Sequence, residues 1–585
     1  MLKKRAETMG QGRPTPLETT QASRVAGQLR RAARAVRSII PPDPYDVASC
    51  LVLAAVAVVA LLTYRDYAIS NDEGVQHHYG ELIIAYYRSG FADRDLFRFQ
   101  NLYLYGGLFD VIAVSLAKLI PIDAYELRHI LCAITGIGGI AAAAATARLI
   151  AGPRAGLIAA IALSLCGAWY GAMFNHTKDI PFAAAMMAAT FLLIRLSRGL
   201  PSPRLRDVLA FGVCTGAALG VRSLGLLLLI YLVLAIVICV PWRERGEARL
   251  RFAGVAALRT FPAVALAYVI MIAAWPWAAL SPLNPIRGLF AFSEFHYAIR
   301  TVFEGRTYEM GEVPRLYVPG YLLIRVPLVT LAGVVLALIS MLALPFERGW
   351  TPRRRDLALL LAAMILPLAC QVALHGPAFT GMRHFLFVLP GLAALAGIGF
   401  EAVLGTLAAR GRWLAAATAA AICAFFVWDG TTLVRLHPYE NLSYNALVGG
   451  LPGAYRRYDM DYWFNSMPEA IHRLEAYLRE KTPLETSPAP KIYSVAVCGV
   501  QLEFDKTVTL PQLHWDFRSE WDESEFFIAP THMNCDRDLD GDIVATVERF
   551  GVPIAYVKDR RAIVKLPMAT AGSPSSAQDA NRKEN

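Results

Sequence analysis

Eleven stretches of this chain are each apolar for most of their length: 46–64, 127–147, 155–174, 180–194, 207–221, 223–241, 257–277, 321–345, 356–374, 384–407 and 413–430. A chain that offers about 20 apolar residues at a time finds its solvent in lipid, and there each backbone amide must be satisfied within its own helix. This predicts a polytopic α-helical membrane protein. The composition agrees: 56% of the 585 residues are hydrophobic and 18% charged, with a mean hydropathy of +0.41. Soluble domains carry about 25% charged residues, so a soluble enzyme, a disordered scaffold and a small disulfide-stapled secreted protein are all excluded. The net charge of +10 sits in short clusters between apolar runs, as membrane topology requires, and not along one soluble face. Nucleic-acid binding is not expected.

The segment 104–120 is too polar to count with the others, because it opens with Tyr105-Gly106-Gly107 and carries Asp110 and Lys118. The positive-inside rule assigns Lys- and Arg-rich short loops to the cytoplasm. If 104–120 stays at the outer surface, the clusters at Arg148/Arg154, Arg195/Arg198, Arg243/Arg245, Arg353/Arg354 and Arg410/Arg412 all fall inside with the basic N-terminal tail. If it crosses, they all flip. The expected organisation is therefore a cytoplasmic tail, 1–45, with a basic interfacial helix at 20–38. A membrane domain, 46–430, follows, with its first outer loop at 65–126. An outer α/β module spans 431–570, and a disordered polar tail spans 571–585. In the module, 467–482 reads as an amphipathic helix, and 491–498, 525–529 and 552–557 read as strands. Seven cysteines lie in or beside apolar runs, where thiols act as small hydrophobes. Only Cys498 and Cys535 lie in the polar part, and whether they pair is open.

On this topology four polar clusters meet at the outer face, where ionisable groups near lipid tend to be functional. The first is Asn71-Asp72-Glu73, just after the first span. Its adjacent carboxylates point in different directions, so one can face substrate while the other anchors the loop. The plainer account is that Asn71 or Asp72 caps a helix near 75–88. The second is His176-Thr177-Lys178-Asp179-Ile180-Pro181, where Asp179 can cap a helix opened by proline and two cations stand beside it. Arg222 is the third, the one charge between two closely spaced apolar runs. A buried arginine calls for a carboxylate or a phosphate. Arg383-His384 is the fourth, and interfacial snorkelling accounts for it equally well. Cations that neutralise a departing phosphate, beside a carboxylate that accepts a proton, suit group transfer from a phosphate-bearing donor.

These residues, in this order and on one side, resemble the GT-C membrane glycosyltransferases of the protein O-mannosyltransferase and aminoarabinose-transferase type, which depend on a phospholipid carrier. The likeness covers roughly 45–466. It rests on Asp72-Glu73, on His176 through Phe182, and on Arg222 within Val221-Arg222-Ser223-Leu224-Gly225. It rests also on Arg383 through Pro390, and on His437-Pro438-Tyr439-Glu440-Asn441 running on to Asp461-Tyr462-Trp463. The resemblance implies a GT-C-like fold of about eleven transmembrane helices with juxtamembrane helices at the outer face. It further implies inverting transfer from a polyprenyl-phosphate sugar at the periplasmic face of a bacterial inner membrane. Asp72 would be the base, with Glu73 and Asp179 as further acidic groups. Lys178, Arg222 and Arg383 would bind the carrier phosphate, and His176 and His384 would line the cavity. One departure stands out: where the aminoarabinose group carries Lys-Pro-Pro, this chain has Leu104-Tyr105-Gly106-Gly107-Leu108.

The expected partners are the bilayer, the lipid-linked sugar donor, and an acceptor that is a protein, a lipid or a polysaccharide. No cofactor is identified beyond the polyprenyl-phosphate donor; the acidic residues could hold a divalent metal, but no ligand pattern calls for one. The competing reading is a transporter or flippase of a polyprenyl-linked or anionic substrate, which should show helices broken near the membrane midplane and internal repeats. A third reading puts the working part in the outer module, whose aromatic residues could stack on sugars.

Overall fold

The computed structural model describes residues 43–294, 299–342, 351–481 and 491–564. The expected interfacial helix at 20–38 and the tail at 571–585 lie outside these residues. Among the described residues seven helices are long and apolar enough to cross a membrane, or up to nine if each of two bent pairs counts as one span. The seven are 44–66, 124–151, 179–197, 246–274, 352–374, 383–410 and 412–436. Two further expected spans are short: Leu205–Leu219 has 15 residues, and the apolar helix Ser223–Cys239 opens with a 3₁₀ turn.

The structure departs from the expectation of straight spans at two places. Residues 155–174 divide into Pro153–Ser164 and a short segment from Gly167 to Met173, bent by 66°. Residues 321–345 divide into Tyr317–Arg325 and Leu328–Leu342, bent by 113°. The second break follows from Pro327, which lacks an amide hydrogen and pushes the preceding residue out of the helical region. Val326 indeed has φ −82° and ψ 134°. Asn445 satisfies the freed backbone: its Nδ2 donates to the carbonyls of Leu323 and Val326 at 2.7 and 2.8 Å.

The uncertain segment contains a ten-residue helix, Leu108–Ala117, about 15 Å long and so too short to cross alone. It is plugged into the ends of other helices: the amide of Leu108 donates to Gly220 O and that of Gly107 to Ala274 O, each at 3.0 Å. Gly106 permits this approach, because a Cβ there would lie 2.1 Å from Gly220 O.

At the opposite helix ends, three ion pairs join residues assigned by the charge rule to one side. Arg148 pairs with Asp46 at 2.5 Å, Arg154 with Glu401 at 2.6 Å, and Arg198 with Asp356 at 2.5 Å. Each links the ends of helices that alternate in direction, as antiparallel neighbours should.

The C-terminal part is a five-stranded sheet in the order β4-β3-β5-β7-β6. Its strands are β3 Tyr493–Val497, β4 Leu513–Asp516, β5 Phe526–Pro530, β6 Asp542–Arg549 and β7 Val552–Asp559; β1 Arg300–Phe303 and β2 Arg306–Glu309 form a separate hairpin. β3 runs parallel to both β4 and β5, while β7 is antiparallel to β5 and β6. Every residue of β5 is buried, as a central strand covered on both faces requires. The period of two sorts its side chains: Phe526 and Ile528 join the main core with Leu474 and Leu478 of helix Met467–Lys481, whereas Phe527 and Ala529 pack with Trp521 and Leu539 on the other face. β3, β5 and β7 match the expected strands. β4 and β6 were missed because their patterns (LHWD, DIVATVER) mix polar residues into short runs. Cys498 and Cys535 are joined in a disulfide.

Candidate active site

Asp72 and Glu73 part company at the start of one helix. The helix runs Asn71–Arg88, and Ser70, not Asn71 or Asp72, is its N-cap. Glu73 closes a capping box, its Oε2 accepting from the amide of Ser70 at 2.8 Å and from the Ser70 hydroxyl at 3.1 Å. It is fully buried and lies 3.2 Å from His129 Nε2. Asp72, one residue earlier, turns the other way and leaves 35% of its side chain exposed.

Asp179 opens helix Asp179–Ser197 but does not cap it, since the cap position belongs to Lys178. Its carboxylate, 2% exposed, is held instead between two guanidinium groups. Arg222 Nη2 donates to one oxygen, and Arg383 Nε donates to the other at 2.9 Å. Arg383 also donates through Nη2 to Asp72, and its guanidinium lies 4.3 Å from the Trp463 ring centroid. Arg383 therefore bridges the two aspartates as a planar fork can and a lysine cannot. The snorkelling account fails here, because the guanidinium is only 10% exposed and points inward.

Lys178 completes the charge pattern. It is buried, and its ammonium sits 3.9 Å from the centroid of Tyr105, in the segment that stands where the aminoarabinose group has Lys-Pro-Pro. Among the described residues no carboxylate lies within ion-pairing distance of it. Burial brings its pKa down to about 8, against the opposing pull of Asp72 and Asp110. Three cations thus face two carboxylates, which leaves one positive charge for an anionic guest. Burial alone would raise the Asp72 pKa, yet Arg383 and Lys178 outweigh it and hold the carboxyl below its usual range.

His176 is committed to its neighbours. Its Nε2 accepts from Trp463 Nε1 at 2.7 Å and lies 3.0 Å from the Tyr462 hydroxyl, while Nδ1 is 3.6 Å from Asp179. Accepting at Nε2 places the proton on Nδ1, toward Asp179. Burial lowers the His176 pKa and keeps the ring neutral. His384 packs edge-on against Phe379 with centroids 4.7 Å apart. The structure so brings together Asp72, Asp179, Lys178, Arg222, Arg383 and His176, and sets Glu73 behind them as a structural anchor.

Sequence reasoning missed the group that holds these loops in place. Arg128 is completely buried at the start of the helix Ala124–Ala151. Its Nη2 donates to Asp110 at 2.7 Å, to Thr177 Oγ1 at 3.0 Å and to Gln76 Oε1 at 3.3 Å. One guanidinium thereby ties the helix of Asp72 to the loop of Lys178 and Asp179. The available signal was an arginine and an aspartate, each within an otherwise apolar stretch, and such groups seek one another in a membrane protein. Asp461-Tyr462-Trp463 were quoted for their pattern, and the turn they open packs over the cluster: Asp461 accepts the amides of Asn465 and Ser466, and Asn465 Oδ1 accepts from Asn175 at 2.7 Å.

Residues 123–276 match the family model described as dolichyl-phosphate-mannose-protein mannosyltransferase. No curated protein sequence matches the chain. Solved structures that overlap it include ArnT from Cupriavidus metallidurans bound to undecaprenyl phosphate, at 16% identity and a TM-score of 0.44, covering 87% of this chain and 97% of that one. The Archaeoglobus fulgidus oligosaccharyltransferase in the apo form overlaps at 13% identity and 0.45, over 77% of this chain and 62% of that one. The arabinofuranosyltransferase AftD from mycobacteria overlaps at 15% identity and 0.37, over 87% and 41%. The family match spans Lys178, Asp179 and Arg222, so three residues of the cluster lie in the stretch of this multi-pass membrane protein that is similar to those mannosyltransferases.

Proposed function

We propose that the cluster transfers a sugar from a polyprenyl-phosphate carrier to a hydroxyl or amine acceptor at the periplasmic face of a bacterial inner membrane. The observation that carries this reading is the asymmetry of the two aspartates: Asp72 is partly exposed and held by one arginine, whereas Asp179 is buried between two. Asp72 is the base. It accepts the proton of the acceptor as that oxygen or nitrogen attacks the anomeric carbon, and the bond from that carbon to the phosphate oxygen breaks with inversion. The carrier phosphate leaves with the bonding pair toward Lys178 and Arg222, whose charge favours its departure. Asp179 holds Arg222 and Arg383 in place, so its role is positioning. No step calls for a metal.

The topology supports the same side for every part of the site. The charge rule puts the three ion-paired helix ends in the cytoplasm, along with the N-terminus. Residues 71–88, 174–179, 222, 383 and 437–466 then fall outside, together with the sheet module. The Cys498–Cys535 disulfide suits an oxidising compartment there. The break near Val326 gives the transporter reading little support, since Asn445, beyond the last span, caps it.

The test is carrier turnover by purified protein in nanodiscs with a panel of radiolabelled polyprenyl-phosphate sugars. Wild type should release sugar from the carrier, and Asp72→Asn should not while remaining folded. Donor movement across vesicles that survives Asp72→Asn, without turnover, would overturn the reading.

A further inference from the structure

Backbone that is buried outside a helix or strand must find other partners for its amides and carbonyls. Just ahead of the helix that carries Asp72, the chain makes that demand: Ala68, Ile69 and Ser70 are 1%, 6% and 0% exposed, and none lies in a regular element. Each is met by a different side chain. The Ala68 carbonyl accepts from Asn175 Nδ2 at 3.1 Å, the Ile69 amide donates to Glu503 Oε2 at 2.7 Å, and the Ser70 amide donates to Glu73 Oε2 at 2.8 Å. Asn175 belongs to the loop of Lys178 and Asp179, and Glu73 to the helix itself. Glu503 comes from the C-terminal sheet module, 434 residues along the chain.

A carboxylate is a costly partner to place there. Glu503 sits in the short helix Gln501–Thr507 and is 6% exposed. Among the described residues no arginine or lysine pairs with it, and its neighbour Lys506 turns instead to Asp123. Its second oxygen accepts from the Thr507 hydroxyl at 2.5 Å. Burying a carboxylate without an ion pair is unfavourable. Burial indeed raises the Glu503 carboxyl above its usual range, against the pull of these hydrogen bonds and of His129. Docking alone does not call for this group, because the same helix already holds the membrane domain by two other contacts. Leu502 faces Gly74, where a Cβ would lie 3.6 Å from its Cδ2, and Lys506 bonds Asp123, the N-cap of helix Ala124–Ala151.

What Glu503 adds is control of one peptide group, two residues before the helix Asn71–Arg88 begins. We propose that Glu503 is a positioning residue for Asp72: by holding the Ile69 amide, the C-terminal module fixes where that helix starts and so where its second residue points. The proposal rests on the reading of Asp72 as the base. It gives the module a part in the reaction without placing any of its side chains on substrate.

Side-chain reach and charge separate positioning from plain docking. Glu503→Gln keeps an acceptor oxygen at the same reach, whereas Glu503→Asp keeps the charge and withdraws the oxygen by one methylene. With the full chain in nanodiscs, Glu503→Asp and Glu503→Leu should lower kcat for carrier turnover by about 10–10²-fold with little change in KM, as misplacing a reacting group does. Glu503→Gln should stay within about threefold of wild type. Hydrogen exchange over residues 65–76 should quicken in the Asp and Leu variants and not in Gln. On an Asp72→Asn background Glu503→Asp should add almost nothing, because a residue that acts through the base has no effect once the base is gone. Lys506→Ala, which loosens the module at Asp123, should leave kcat unchanged. Equal losses in Gln and Asp, a further tenfold loss on Asp72→Asn, an equal loss in Lys506→Ala, or quickened exchange with kcat unchanged would each overturn the proposal. If Glu503→Leu does not fold, the Gln and Asp variants decide. Absence of carrier turnover in wild type would overturn the transferase reading and this proposal with it, an outcome distinct from turnover that ignores Glu503.

Discussion

Arginine meets carboxylate at both ends of this membrane domain, with opposite consequences. At the end that carries the basic clusters three arginines have an acid each, as Arg154 has Glu401 with two contacts of 2.6 and 3.0 Å, and where Asp207 meets both Arg195 and Arg206 those arginines stay 37% and 65% exposed. At the opposite end Asp179 serves two arginines, Arg383 serves two aspartates, and among the described residues Lys178 has no acid within ion-pairing distance. Each of those three pairs is neutral by itself, and the shared Asp207 is met by arginines open to solvent. The cluster at the opposite end is buried, shared and one positive charge in excess, which is costly unless a ligand uses it. Pairing alone does not distinguish a structural ion pair from a working one; stoichiometry and exposure do.

The sharpest way to break this contrast is Asp72→Asn. Loss of a general base should lower kcat by about 10²–10⁴-fold with little change in thermal stability, measured as carrier turnover beside a melting curve. If stability falls as well, Asp72 is a structural partner of Arg383. Asp179→Asn should do the reverse: with Arg222 left without its acid and Arg383 left with Asp72 alone, it should cost about 3–5 kcal/mol of stability, and activity should fall because the site loses its shape. Denaturation in detergent, read by intrinsic fluorescence, would show it.

Lys178→Met should lower kcat/KM by about 10²-fold if the ammonium meets the leaving phosphate. The pH profile refines this. Lys178 is charged below its pKa of about 8 and neutral above it, so turnover should decline as pH rises through 8. In Lys178→Arg that decline should move to higher pH, since arginine stays protonated. On the acid side Asp72 is held below its usual range, so activity should persist down to about pH 4, the ordinary carboxylate value. A profile with no alkaline limb in wild type would remove Lys178 from the phosphate site. The smallest effect belongs to the end with the basic clusters: Arg154→Ala should cost less than about 1 kcal/mol and leave turnover unchanged.

Much of the site was legible because membranes make charges conspicuous. Asp72, Lys178, Asp179, Arg222 and Arg383 could be read as one constellation because each is a polar residue at the outer end of an apolar run, and the charge rule places those ends together. The roles were less legible. Glu73 reads like Asp72 in sequence, yet the capping box turns it inward, because residues next to each other on a helix point about 100° apart. Arg128 was passed over because it lies in a stretch judged by its mean hydropathy, where one charge hardly registers, and Asp110 was weighed only against the crossing of its own segment.

What the sequence determined by itself was set by local physics: apolar length demands helices in lipid, basic clusters orient them, and proline at 327 breaks the one it enters. Short apolar runs likewise marked the central strands of the C-terminal module. What only the tertiary structure decided was long-range partnership. Arg383 stands 311 residues from Asp72, and Asn441 stands 116 from Arg325. No spacing rule connects such pairs, because a guanidinium chooses among carboxylates by position in space, and that position is set by how the helices pack.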